Sequence, residues 1–172
     1  HYLSGFPESD SVLFVVGGNN PFSVLFCQQK ESEKEIWDGF IYGPMEAKEK
    51  YLIDEAHPLE KMNEIAVKLI ANRKKIFTLS TNNPKQQGLI NQWIDYNKQQ
   101  KKSGIRTPEM VVDLASILDP MRVVKSSYEV ELMQKSADIA SEAHIHGMRS
   151  TIPGKNEYQV EGEILNHFIQ NG

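Results

Sequence analysis

Apolar positions come first in short unbroken runs and later at three- and four-residue steps. Val12–Val16 and Ser23–Cys27 are β-rich runs joined by Gly17-Gly18-Asn19-Asn20-Pro21, which predicts two strands and a loop. A polar run, Gln28–Glu35, leads into Ile36-Trp37-Asp38-Gly39-Phe40-Ile41-Tyr42-Gly43. Pro44 suits a first helical turn, so Met45–Tyr51 reads as a short helix. Leu59, Met62, Ile65, Ala66, Leu69 and Ile70 mark an amphipathic helix. Ile76–Leu79 reads as a strand, and Pro84 to about Lys101 as a helix ended by Ser103-Gly104. Met110-Val111-Val112 follows the extended Thr107-Pro108 and suits one more strand.

After Asp119-Pro120 the pattern is helical only. Ser126 with Glu129 forms a capping box, and Val130, Met133, Ala137, Ala140 and His144 share one stripe of a helix reaching about Arg149. Ile152-Pro153-Gly154 breaks it. Asn156 with Gln159 starts another helix through Ile169, its buried face Ile164, Leu165 and Phe168, with Asn171-Gly172 as a C-cap. The pattern predicts an α/β domain over 1–119, helices packed on a sheet, followed by two helices of a second unit over 120–172.

Composition narrows the classes. The chain has 172 residues, 40% hydrophobic and 24% charged, with a net charge of -4. Its mean hydropathy is -0.46. A nucleic-acid binder shows a basic excess that is absent here, and no apolar run reaches the ~20 residues of a membrane span. One cysteine, Cys27, excludes an intrachain disulfide framework and suits a reducing cytoplasm. His1-Tyr2-Leu3 runs directly into a turn with no initiator Met, and the last helix leaves an apolar face bare, so the sequence reads as an internal segment of something larger.

Local chemistry is sparse. His144 and His146 lie about 200° apart on a helix and cannot ligate one ion. Glu142 with His146 makes only two ligands. The spacing leaves His146 solvated, His144 partly buried and His167 on a helix surface. Glu157 and Glu161 are explained by Lys155 and solvation, and Cys27 by burial as a small hydrophobe. Gly17-Gly18 lacks the third glycine of a dinucleotide loop. Two residues stand out. Trp37 beside Gly39 is either a core ring or the wall of a pocket or interface. Arg106, between Gly104 and Pro108, is either a plain surface cation or a guanidinium presented to a carboxylate.

Tyr2-Leu3-Ser4-Gly5-Phe6-Pro7, Glu35-Ile36-Trp37-Asp38-Gly39, Gly43-Pro44 with Ala47–Tyr51, and Met121–Ser126 followed by Glu129–Met133 occur in this order. Ala143-His144, Met148-Arg149, Pro153-Gly154, Glu157-Tyr158 and Glu161 continue the series. The series resembles aminopeptidase P, the Xaa-Pro aminopeptidases of the creatinase/prolidase superfamily. The resemblance implies a creatinase-type N-terminal α/β domain with helices packed on a mixed sheet, and the first two helices of a pita-bread catalytic domain. It implies a parent hydrolase that releases the residue preceding proline, using two divalent ions, commonly manganese. The family's five metal ligands match no position here, so this segment is expected to bind no metal and to be inactive, residues 120–172 being too few for the catalytic domain. Homo-oligomers and proline-containing peptides are the implied partners. By the same resemblance, Trp37 and Arg106 serve the substrate pocket or the subunit interface. Phe40-Ile41 departs from the family, many of whose members carry two arginines there. A metal-free binding relative, or a prolidase- or creatinase-type hydrolase, remains the alternative.

Overall fold

The computed structural model describes residues 2–79, 83–100 and 104–171. The expected helix end at Lys101–Ser103 and the final Gly172 lie outside the described residues. The chain separates into two compact units, His1–Leu114 and Ala115–Gly172.

In the first unit, β1 (Val12–Val16) and β2 (Phe22–Cys27) form the antiparallel hairpin that their shared loop suggests, with Val12 opposite Phe26 and Val16 opposite Phe22. A third strand, β3 (Glu55–Pro58), joins β2 in parallel, Val24 facing Glu55 and Cys27 facing Pro58. β4 (Lys75–Thr78) and β5 (Met110–Asp113) form a separate parallel pair. Four helices complete the unit: α1 (Ser32–Asp38), α2 (Gly43–Lys50), α3 (Met62–Ile70) and α4 (Pro84–Gln99). A single 3-10 turn, Leu59–Lys61, precedes α3. The expected α/β class with a mixed sheet is therefore what the chain adopts.

The apolar run of β2 is continuous because both of its faces are covered. Leu25 and Cys27 pack with Phe6, Ala47 and Ile53. Phe26 points the other way, its ring edge-on to Phe14 at 5.5 Å. Phe14 in turn joins the second cluster, made by Ala66 and Ile70 of α3 with Ile90 and Trp93 of α4. Two polar bonds lock α3 to α4. Trp93 Nε1 donates to Asn63 Oδ1 at 2.9 Å, and buried Asn97 donates through Nδ2 to the Val67 carbonyl at 2.8 Å. α4 begins where Pro84 predicts, with Asn83 Oδ1 accepting from the Gln86 N–H.

Two elements escape the periodicity. β3 reads Glu-Ala-His-Pro and owes its extension to pairing with β2, and α1 begins inside the polar run. In the second unit, α5 (Ala115–Val123) carries Pro120 within it, where the sequence reading set a break. The compact units divide at Leu114/Ala115, five positions before that break.

α6 (Ser127–Ser150) and α7 (Glu157–Asn171) form an antiparallel hairpin. The expected capping box is present: Ser126 Oγ accepts from the Glu129 N–H, and Glu129 Oε2 accepts from the Ser126 N–H at 2.8 Å. The buried line of α6 is Ala143 and Gly147, while Val130, Met133 and His144 of the expected stripe are exposed. Small residues win because α7 comes close enough for Ile164 to lie on Gly147.

Candidate functional site

Residues 30–51 build the most feature-rich surface of the first unit. Trp37 is 87% exposed, which removes the core reading of this ring. Ile36, Phe40 and Met45 are exposed beside it in sequence, so α1 and the start of α2 carry bare apolar side chains. An indole this exposed offers a flat surface for a rigid apolar ring or another protein surface.

The linker between α1 and α2 is held firmly. Glu35 Oε1 accepts from the Ile41 N–H at 3.1 Å, and Glu8 Oε1 accepts from the Tyr42 N–H at 2.6 Å. Two consecutive amides are thus tied to carboxylates from different elements. Lys30 stands at the centre: Nζ reaches Glu46 Oε1 at 2.9 Å and lies 4.7 Å from the Phe40 ring centroid. Its backbone and Cβ press on Gly43, where an added Cβ would meet Lys30 Cβ at 2.8 Å. Gly43 also has φ of 67°, so glycine is required twice over. Ile41 is buried beneath this linker, whereas Phe40 faces out.

Tyr42 links the linker to the core. Its ring lies edge-on to Phe40 at 4.8 Å and to Tyr51 at 5.4 Å. Lys50 Nζ donates to Tyr42 Oη at 2.8 Å. That ammonium, with Tyr51 as second donor, holds the Tyr42 phenol below its usual range. The Tyr51 phenol, bonded to Tyr42, is pushed up to about 12. Phe40, Tyr42, Glu46, Glu49 and Lys50 line an open depression of about 430 Å³. The other oxygen of the carboxylate that holds the Tyr42 amide, Glu8 Oε2, is enclosed without a hydrogen-bond partner among the described residues. Burial and the Glu8 charge push the Cys27 thiol up to about 11, which suits the small buried hydrophobe expected of it.

Arg106 lies in the segment entering β5, on different elements from Trp37. Its main chain is paired with Asn72: the Asn72 N–H donates to the Arg106 carbonyl at 2.8 Å, and the Arg106 N–H donates to Asn72 Oδ1 at 2.9 Å. Among the described residues its exposed guanidinium makes no ion pair or hydrogen bond.

The second unit leaves His146 exposed, as expected, and corrects the expectations for His144 and His167. His144 is exposed, and His167 is half-buried with Nε2 enclosed, 3.6 Å from Glu142 Oε2. His146 stacks on His167 at 6.0 Å and points Nε2 to Glu163 Oε2 at 3.3 Å. Lys155 pairs with Glu163 at 3.0 Å, not with Glu157 or Glu161. Lys155 first, and then His146, hold the Glu163 carboxyl below its usual range. The helix contact centred on Gly147, not the expected stripe, decides these partners. Among the described residues no group of three or more His, Cys, Asp or Glu side chains stands together to hold a metal ion. No described helix is long and apolar enough to cross a membrane.

Neither Glu8 nor Asn72 was singled out in the sequence. Each acts on a backbone 34 residues away, a distance no local pattern reports.

Comparison with known proteins places these features. Residues 1–77 match the family described as aminopeptidase P, N-terminal domain. A Xaa-Pro aminopeptidase of Escherichia coli K12 is 25% identical over 99% of this chain, which spans 39% of that protein. The solved structure of Pseudomonas aeruginosa aminopeptidase PepP superposes with a TM-score of 0.92 at 32% identity, covering 99% of this chain and 39% of that one. A zinc-substituted Escherichia coli aminopeptidase P in complex with product gives a TM-score of 0.92 at 25% identity over the same shares. By sequence and by fold, the chain is similar to the N-terminal portion of aminopeptidase P, and it spans about two fifths of the length of the relatives it matches.

Proposed function

We propose that the chain is the front portion of a metal-dependent Xaa-Pro aminopeptidase, which releases the N-terminal residue from peptides with proline in second position. The observation that carries this reading is the colinear match of 99% of the chain to aminopeptidase P at a TM-score of 0.92. In this reading residues 1–119 shape the substrate pocket and hold subunits together, while residues 120–172 open the catalytic domain. Two divalent ions, manganese by family habit, would be held by residues outside this chain and would supply an activated water for hydrolysis. The zinc-substituted relative supports a metal mechanism. Trp37 offers its bare indole to a proline ring or a neighbouring subunit, and Arg106 offers its guanidinium to a carboxylate or carbonyl of the peptide. A cytoplasmic location accords with the single buried thiol.

The test uses the complete gene product. Release of the first residue from an Xaa-Pro peptide, with and without added Mn²⁺, is compared with an Xaa-Ala control. Metal-dependent cleavage of the proline peptide alone is expected. Cleavage of neither peptide favours a metal-free binding relative, and cleavage of both overturns the specificity.

A further inference from the structure

We infer that Asn72 is a positioning residue for Arg106: in its left-handed conformation it grips both main-chain polar groups of Arg106 and aims the guanidinium at the peptide. The inference rests on the pocket role proposed above for Arg106.

Asn72 follows α3 with φ of 61°, a region that side chains other than Asn and Asp rarely enter. This conformation turns its N–H to the Arg106 carbonyl at 2.8 Å and leaves its side-chain oxygen to accept the Arg106 N–H at 2.9 Å. One residue therefore satisfies both backbone groups of another, as a strand partner would, although neither belongs to a strand. Downstream, the Glu109 and Met110 N–H groups both donate to the Lys74 carbonyl, at 3.0 and 3.3 Å. The segment 106–110 is consequently fastened at two points to the turn between α3 and β4. Pro108 removes a further degree of freedom.

The arginine so fixed does not spend its charge. Among the described residues no carboxylate or carbonyl takes the Arg106 guanidinium. Arg73, one position after Asn72, behaves differently, since its Nη1 donates to the Gly17 carbonyl at 3.2 Å. A rigid backbone beneath an uncommitted, five-donor cation is the arrangement that presents a guanidinium to a ligand oxygen with little ordering cost. Loss of the clamp leaves the charge in place but spreads its directions, and a bound peptide must then restore them.

The test compares Asn72→Gly, Asn72→Asp, Arg106→Ala and the Asn72→Gly/Arg106→Ala pair in the complete gene product, assayed for kcat and KM on an Xaa-Pro peptide. Glycine keeps the left-handed backbone accessible and deletes only the side-chain acceptor. Asn72→Gly is expected to lower kcat/KM on the order of fivefold, with little further loss in the Arg106→Ala background. Asn72→Asp keeps an oxygen acceptor and is expected to restore most of the activity. Equal losses from Asn72→Gly with and without Arg106 overturn the positioning role while sparing the pocket role of Arg106. Full activity of Arg106→Ala overturns both.

Discussion

Ile164 of α7 lies directly on Gly147 of α6: a Cβ placed on that glycine would stand 2.8 Å from both Cγ1 and Cδ1 of Ile164. The hairpin therefore closes on a bare Cα, and the neighbouring pairs, His146 with Glu163 and Glu142 with His167, follow from this spacing.

Gly147→Ala is expected to destabilise the hairpin although alanine is the better helix former by about 1 kcal/mol. Overpacking costs about 1–3 kcal/mol and outweighs that gain. Chemical denaturation of Gly147→Ala, Ile164→Val and the double variant checks this. The double variant should recover part of the loss, and strict additivity would show that the two side chains do not meet.

Ser126→Ala removes the cap of α6 and is expected to cost about 1 kcal/mol. Acid should act at the same place. The backbone and hydroxyl bonds from Ser126 hold the Glu129 carboxyl below its usual range. A depressed carboxyl contributes stability above its unfolded value of about 4.3, and loses it as pH falls through the lower folded value. The protection factors of the amides at 129 and 130, taken relative to unstructured exchange at the same pH, should therefore fall below about pH 4.3 in the wild-type chain. In Ser126→Ala that protection should be low already at neutral pH.

The two tryptophans divide cleanly. Trp37 is 87% exposed and Trp93 is 7% exposed, with its N–H bonded to Asn63. Iodide should quench one emission component of the isolated chain, and Trp37→Phe should abolish that component. If the Trp37 surface is an interface, quenching should fall as protein concentration rises. Concentration-independent quenching would leave the ring to solvent or substrate.

Asn97→Ala should destabilise the first unit by about 1–3 kcal/mol, because it leaves the Val67 carbonyl without its buried amide donor. Thermal unfolding reads the loss. A change within error would mean that water replaces the amide.

Cys27 should resist thiol reagents at pH 8 until the chain unfolds, since its thiol sits at about 11 in the fold. A raised thiol value contributes stability that is complete below the unfolded value, near 8.5, and is lost as pH rises toward 11. Labelling under native conditions at a rate matching a free thiol would contradict this burial.

Much of this molecule is written locally. Val12–Val16 and Ser23–Cys27 announce strands because their largely apolar runs have nowhere to go but a covered sheet. Pro84, Ser126 and Glu129 announce helix starts because caps satisfy orphan N–H groups within three or four residues. These are short-range rules, and the chain obeys them. The ordered blocks around Trp37, Met121 and Glu129 likewise carry the resemblance to aminopeptidase P, since order and spacing are properties of the sequence itself.

Tertiary structure decided the rest. Glu-Ala-His-Pro at 55–58 is a strand only because β2 offers its edge, and α6 buries Ala143 and Gly147 because α7 approaches there. Trp37 proved to be bare, Arg106 proved to be gripped by Asn72, and the Tyr42 amide proved to be tied to Glu8. Burial and hydrogen-bond partnership depend on what folding brings across 30 or more residues, and periodicity records only the face a residue shares with its near neighbours.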